Sequence, residues 1–325
     1  MDTKSLINHL FEKYKELSVK ELVSHLNVSK QMVHRLLKEM VLQGELEKLG
    51  IAPKTLYRKK KISNRKESTV KLEQNVSEEL KESFLMVSDT GQLLDGEEGF
   101  RIWCDKRNQA FEKTVKEYLK TVKKYKQYKN TNGLIEGTDK LINTYQGNTY
   151  LNKVFYLDFY AIERFGKTRL GTLLHYAKQG QNKYLMNILI KEIKEKVLRF
   201  IEDEGFDAVG YVPPTIRREV QIMKTLEENF NVPLPVLNIL KISGIIPVPQ
   251  KSLNKLEDRI VNAENTFAIA DIRQFNKVLL IDDAVGSGST LNQIAEKIKR
   301  KEVAKEVYGL SVVGSFKGFD VITDV

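Results

Sequence analysis

Apolar residues recur at helical spacing at the start of the chain. Leu6, Ile7, Leu10 and Phe11 share one side of residues 3–14, with Thr3 or Ser5 able to cap the start. Ser18 opens a second helix, with Glu21 at capping-box spacing, and that helix is expected to end near Asn27. Ser29 caps a third, whose stripe is Met32, Val33, Leu36, Leu37 and Met40, and Gln43-Gly44 stops it. Residues 45–49 alternate as a strand, 50–54 turn, and 55–58 return as a second strand. Residues from Lys59 to about Gln74 are polar and without period, as in a linker. Residues 76–85 and 99–127 read as helices and 130–137 as a loop. After Leu151 the pattern becomes a strand at 154–160, helices at 170–178 and 184–202, a strand at 208–212, a helix at 218–229, a strand at 278–281, a helix at 291–299 and a strand at 307–313. Strands alternating with helices indicate βαβ units, so the expected class is α/β with a mostly parallel sheet.

With 325 residues and 41% hydrophobic positions, the chain can build two or three cores. The single cysteine, Cys104, cannot form an internal disulfide, and no Cys/His spacing resembles a zinc site, so no protein-held metal is expected. No apolar run approaches the ~20 residues of a membrane span. Met1-Asp2-Thr3-Lys4 lacks the layout of a signal peptide. The expectation is a soluble, cytoplasmic protein without a membrane partner. The net charge is +10, and residues 1–70, with 15 Lys/Arg against 8 Asp/Glu, hold +7 of it. So local an excess points to a polyanionic partner for the N-terminal part.

The most informative stretch follows residues 278–281: Asp282-Asp283-Ala284-Val285-Gly286-Ser287-Gly288-Ser289-Thr290. Two carboxylates stand at the C-terminal end of a buried strand, where open α/β sheets bind ligands. A turn of small and hydroxyl residues then opens a helix, and its backbone N–H groups can cradle an anion. Carboxylates suit sugar hydroxyls or hydrated Mg²⁺. Together they describe a site for a sugar phosphate.

This segment resembles the phosphoribosyl pyrophosphate (PRPP) motif of type I phosphoribosyltransferases. The resemblance implies that Asp282 and Asp283 contact the ribose, that Gly286, Ser287, Gly288, Ser289 and Thr290 hold the 5′-phosphate, and that Ala284 and Val285 belong to the same ligand-binding segment. Pro214, Thr215, Arg217 and Arg218 lie where that family places its pyrophosphate loop. Pro249-Gln250-Lys251-Ser252-Leu253, with Arg259, Asn262 and Phe267, is similar to the mobile loop of ComF-like proteins, and Phe165-Gly166-Lys167 with Leu173-Leu174-His175-Tyr176-Ala177-Lys178 to their hood. The implied activity is transfer of a phosphoribosyl group (a pentosyltransferase, hence glycosyltransferase, reaction) with Mg²⁺ carried by the diphosphate, and Arg217, Lys251 or Arg259 closing over the leaving group. Two features depart from ComF-like proteins. The zinc-ribbon cysteines are absent, and Arg-Gly-Phe-Asn-Gln is replaced by Arg218-Glu219-Val220-Gln221. Phe316 is a candidate for stacking on a ring, and His175 reads as an ordinary helix-face histidine.

Three helices followed by a hairpin is also the order of winged helix-turn-helix domains, which residues 1–61 resemble. That likeness puts Ser29, Lys30, Gln31, His34 and Arg35 toward base edges of DNA or RNA, and Lys54, Arg58, Lys59, Lys60 and Lys61 toward phosphates. The expected organisation is a winged-helix domain at 1–61, a linker at 62–74, a helical middle region at 75–150 and a ComF-like phosphoribosyltransferase domain at 151–325. The middle region could be a dimerisation arm, making a homodimer, or a spacer. Three functions stay open: an active transferase working on or near nucleic acid, a transcription regulator using a catalytically silent transferase fold as a PRPP or nucleotide sensor, and an accessory of DNA uptake, recombination or genome defence.

Overall fold

The computed structural model describes residues 3–50, 55–59, 72–144, 148–214, 216, 218–242 and 266–315. The chain divides into two compact units, Met1–Val76 with Val87–Leu94, and Ser77–Met86 with Asp95–Val325. Among the described residues, no helix is long and apolar enough to cross a membrane.

The first unit runs α1 (Thr3–Lys13), β1 (Leu17–Ser18), α2 (Val19–Leu26), α3 (Lys30–Leu42), β2 (Leu46–Leu49) and β3 (Leu56–Lys59). Ser18 accepts from the Glu21 amide while the Glu21 side chain accepts from that of Ser18, so the capping box is closed. This pairing holds the Glu21 carboxyl below the usual carboxylate range. The Ser29 side chain caps α3 by accepting from the Met32 amide at 3.2 Å. Ile7, Leu22, Val33, Leu37, Met40 and Leu46 form a closed core. The expected hairpin is one strand larger, because β1 pairs antiparallel with β3 to give the order β1-β3-β2.

Next come α4 (Gln74–Ser83), β4 (Leu85–Val87), β5 (Leu93–Asp95), α5 (Gly96–Lys106), α6 (Phe111–Lys126), β6 (Ile135–Glu136), α7 (Thr138–Thr144), β7 (Lys153–Phe159), β8 (Ala161–Ile162) and β9 (Gly166–Lys167). The single helix expected over 99–127 is two, separated at Asn108, whose φ of 52° is left-handed. Burying aromatics rewards that turn. Phe100 and Trp103 of α5 meet Tyr118 of α6 and Phe165, with Phe100 and Tyr118 centroids 4.9 Å apart. The Lys/Tyr-rich helix is thus amphipathic, its tyrosines inward and its lysines outward.

The remaining elements are α8 (Arg169–Gln179), α9 (Lys183–Glu204), β10 (Ala208–Tyr211), α10 (Ile222–Phe230), β11 (Ile239–Lys241), β12 (Phe267–Ile269), β13 (Phe275–Val285), α11 (Ser289–Arg300) and β14 (Ala304–Gly314). The main sheet has the order β10-β13-β14-β7-β6. Its first four strands are parallel, and β6 closes the edge antiparallel to β7. The fold is therefore mixed α/β around a mostly parallel five-stranded sheet. The expected loop at 130–137 and helical region at 75–150 are corrected in this respect, because β6 belongs to this sheet. Helices cover both faces. Phe200 of α9 packs on Phe155 at 5.1 Å, while Leu291 of α11 lies over Gly309, which points the other way.

Candidate functional site

Strand β13 is buried along most of its length, and its side chains alternate between the two sheet faces. Asp282 and Asp283 at its C-terminal end therefore point to opposite faces. Asp283 turns toward the α8 side, where the Lys178 ammonium donates to its Oδ2. The Asp282 Oδ1 accepts from the Asp283 amide at 2.8 Å. Both aspartates line a cleft of about 340 Å³ with Lys178, Gln179, Arg218 and Thr290. Its opposite wall is apolar, from Pro213 and Pro214 after β10 and from Ile222 and Met223 of α10.

The position of α8 depends on a close backbone approach. Its N-cap Thr168 donates to the Phe159 carbonyl at 2.6 Å and accepts from the Gly171 amide at 3.1 Å. A β-carbon on Gly171 would lie 2.0 Å from the Tyr160 carbonyl oxygen, so only glycine lets the helix dock this tightly. Lys178 in the last turn is thereby carried to Asp283. His175 of the same helix pairs through Nδ1 with the Tyr160 hydroxyl at 3.0 Å.

The end of β13, the turn after it and the start of α11 face two hollows. Ala284 and Thr290 open to the cleft. Val285, Gly286, Ser287 and Gly288 line a small cavity of about 10 Å³, room for roughly one water. Lys140 of α7 shares that cavity, with Tyr156 and Ser315. Its ammonium donates to the Ser315 carbonyl, and burial pushes its pKa below the ordinary lysine value. The Ser287 and Ser289 hydroxyls lie 2.8 Å apart. Gly288 takes φ 78° as the N-cap of α11 and offers no side-chain acceptor to the first amides of the helix. Asn292, one turn on, accepts from the Tyr150 and Leu151 amides at 2.7 and 3.2 Å and ties the approach to β7 onto α11.

Arg218 is not in a helix. Helix α10 begins at Ile222 after Gln221, and Arg218 donates to the Lys178 carbonyl and to Gln179 Oε1. Pro214 lines the cleft. Thr215, Arg217, Lys251, Arg259, Phe316, Lys54, Lys60 and Lys61 lie outside the described residues.

In the first unit, Ser29, Lys30, Gln31, His34 and Arg35 are all exposed at the start of α3, and Gln31 and Arg35 lie on the side away from its buried Val33 and Leu37. Arg58 is drawn inward by Glu47 and by Glu16 at 3.6 Å, and Lys59 pairs with Glu12 at 3.4 Å. These two cations of β3 are partly neutralised within their own unit.

Lys178 and Lys140 were not among the expected site residues. A lysine in the last turn of an apolar helix is ordinary helix chemistry and carries no local signal. Lys140 belongs to a seven-residue helix beside an edge strand. No protein-family model matches this chain, and no curated protein matches it.

Proposed function

We propose that the protein binds nucleic acid through its N-terminal unit and PRPP, or a nucleotide, through the cleft at the end of β13, with Mg²⁺-dependent phosphoribosyl transfer and diphosphate release as the activity. The N-terminal unit is read as a winged helix-turn-helix and the C-terminal unit as a type I phosphoribosyltransferase-like fold of the ComF-like kind. One observation carries the ligand: paired carboxylates stand near the C-terminal end of β13, an inner strand of a mostly parallel sheet, two residues before a glycine-serine turn that opens a helix.

Each group has a part in that chemistry. Asp282 and Asp283 accept hydrogen bonds from ribose hydroxyls. The amides of residues 286–290 and the hydroxyls of Ser287, Ser289 and Thr290 hold a phosphate at the helix N-terminus. The apolar wall at Pro213, Pro214 and Met223 suits a base or the ring of an acceptor. Among the described residues no group of three or more His, Cys, Asp or Glu side chains gathers to hold a metal. Two adjacent carboxylates instead fit an ion that brings diphosphate oxygens with it. Mg²⁺ bound in that way would neutralise charge on the leaving diphosphate.

Titration with PRPP and Mg²⁺, followed by diphosphate release against a panel of bases with and without nucleic acid, tests this reading. No PRPP binding removes it, and binding without turnover under every condition removes the enzyme half.

A second reading makes the fold a PRPP or nucleotide sensor that sets nucleic-acid affinity. It is favoured by Arg218, which is engaged by the end of α8 rather than turned to a leaving group. Under this reading PRPP shifts DNA affinity, typically by 5–150-fold at coupling energies of about 1–3 kcal/mol, and the shift disappears in Asp283→Ala. Affinity that ignores PRPP and nucleotides rules the sensor out.

A further inference from the structure

Residues near the pyrophosphate loop would be the natural source of a cation for a diphosphate. In the fold, Arg218 is turned away from that task. Its guanidinium donates to the Lys178 carbonyl and to Gln179 Oε1, closing a helix end where carbonyls lack helical partners. Among the described residues, the cation that lines the cleft and pairs with one of its carboxylates is the Lys178 ammonium, seated on Asp283. The Asp283 side chain is 9% exposed and that of Lys178 is 25% exposed. A carboxylate this withdrawn from water needs a positive partner. Its partner here sits on a long, flexible stem in a cleft large enough for a ligand.

We propose that Lys178 is the specificity-determining cation of this cleft. A ligand that carries a diphosphate beside a vicinal diol draws the ammonium off Asp283, and the freed carboxylate accepts the diol. The inference rests on the sugar-phosphate reading above and adds a rule to it: the cleft selects by charge next to the diol. Ribose 5-phosphate has the diol but no anion at that position. It leaves the ion pair standing and meets a carboxylate already engaged. PRPP supplies a stronger acceptor for the ammonium, so the ion pair exchanges partners at little net loss of charge pairing. Because the last turn of α8 is fixed by Arg218, the exchange needs only rotation about the lysine stem.

Calorimetric titration of the full-length protein in Mg²⁺, with PRPP, inorganic diphosphate and ribose 5-phosphate, tests the rule in wild type, Lys178→Gln and Lys178→Arg. Lys178→Gln is expected to weaken PRPP and diphosphate by about tenfold or more, and to leave ribose 5-phosphate unchanged or tighter. Lys178→Arg should recover most of the PRPP affinity. Thermal melts establish that each variant is folded. Should Lys178→Gln fail to fold, Asp283→Asn takes its place, since releasing the ammonium should tighten inorganic diphosphate. Equal losses for PRPP and ribose 5-phosphate in Lys178→Gln, or diphosphate affinity unchanged in Lys178→Gln or in Asp283→Asn, overturn the role of Lys178. Wild type that binds diphosphate through Lys178 but neither sugar phosphate keeps that role and sinks the phosphoribosyl reading. Wild type that binds none of the three overturns both.

Discussion

A β-carbon placed on Gly288 would lie 2.4 Å from the Cδ1 of Leu141, so α7 packs directly against the turn that opens α11. Gly288 also holds φ 78°, a conformation that costs a residue with a side chain. Gly288→Ala therefore meets two separate penalties, overpacking and backbone strain, and should lower stability by about 2 kcal/mol or more. Adding Leu141→Ala relieves the first and leaves the second. The double variant should then regain part of the melting temperature but not the PRPP affinity, because the turn still cannot keep its shape. Full recovery of both in the double variant would mean that packing alone matters at Gly288.

The same logic applies at Gly171, where the obstacle is backbone. A methyl group there would meet the Tyr160 carbonyl oxygen at 2.0 Å, and neither partner is the flexible end of a side chain. Gly171→Ala should push α8 away from the end of β7, carrying Lys178 off Asp283. The expected result is a melting temperature several degrees lower, for about 1–3 kcal/mol of overpacking, together with weaker binding of diphosphate. Unchanged diphosphate affinity in a folded Gly171→Ala protein would show that α8 does not need this seat to present Lys178.

How far such features can be read in advance depends on whether their cause is local. The Ser18 and Ser29 caps are legible because donor and acceptor lie three residues apart. The carboxylate-glycine-serine segment is legible because strand, turn and helix follow one another without interruption. β1 is two residues long, too short for any period to register, and exists only because β3 runs beside it. β6 is equally brief and is made by its pairing with β7. The strand expected at 278–281 extends from Phe275 to Val285, since its aspartates remain in the ladder opposite β14 despite their polarity. Most telling is Lys178, which reaches Asp283 across 105 residues of sequence. Only the docking of α8 on the sheet brings them together.

Asp271 offers a pH test that is independent of the cleft. Its carboxylate accepts from Arg273 Nε at 2.9 Å and Nη2 at 2.6 Å and from the Asn238 amide at 3.2 Å, joining the end of β12 to the start of β11. The Arg273 guanidinium holds the carboxyl well below the usual carboxylate range. A carboxyl with a lowered pKa in the fold stabilises it fully above the unfolded value near 3.9 and loses that contribution as pH falls through the folded value. Asp271→Asn should cost about 1–3 kcal/mol at pH 7, and the gap between the two proteins should narrow in chemical denaturation below about pH 4. A gap of constant size down to pH 2 would contradict an ionised Asp271 as its source.

If the first unit binds nucleic acid as proposed, the exposed start of α3 and the β2–β3 hairpin should separate cleanly in that binding. Lys30 and Arg35 are exposed, Lys30 as the first residue of α3 and Arg35 on its side away from the core, whereas Arg58 is held by Glu47 and Glu16. A cation already paired within its unit has less charge to offer a phosphate, and breaking the pair would offset much of what it gained. Lys30→Ala and Arg35→Ala should each weaken binding to a duplex by about tenfold. A phosphate contact by Lys30 would also reduce the slope of log affinity against log salt by about one. Arg58→Ala should change affinity by less than about threefold, acting instead on the folding of its sheet. Anisotropy titrations with DNA and RNA over a range of salt would measure all three. Wild-type binding unchanged in both Lys30→Ala and Arg35→Ala would remove α3 as the reading helix and make this unit a surface for docking protein, while a larger loss in Arg58→Ala than in either would move the contact to the wing.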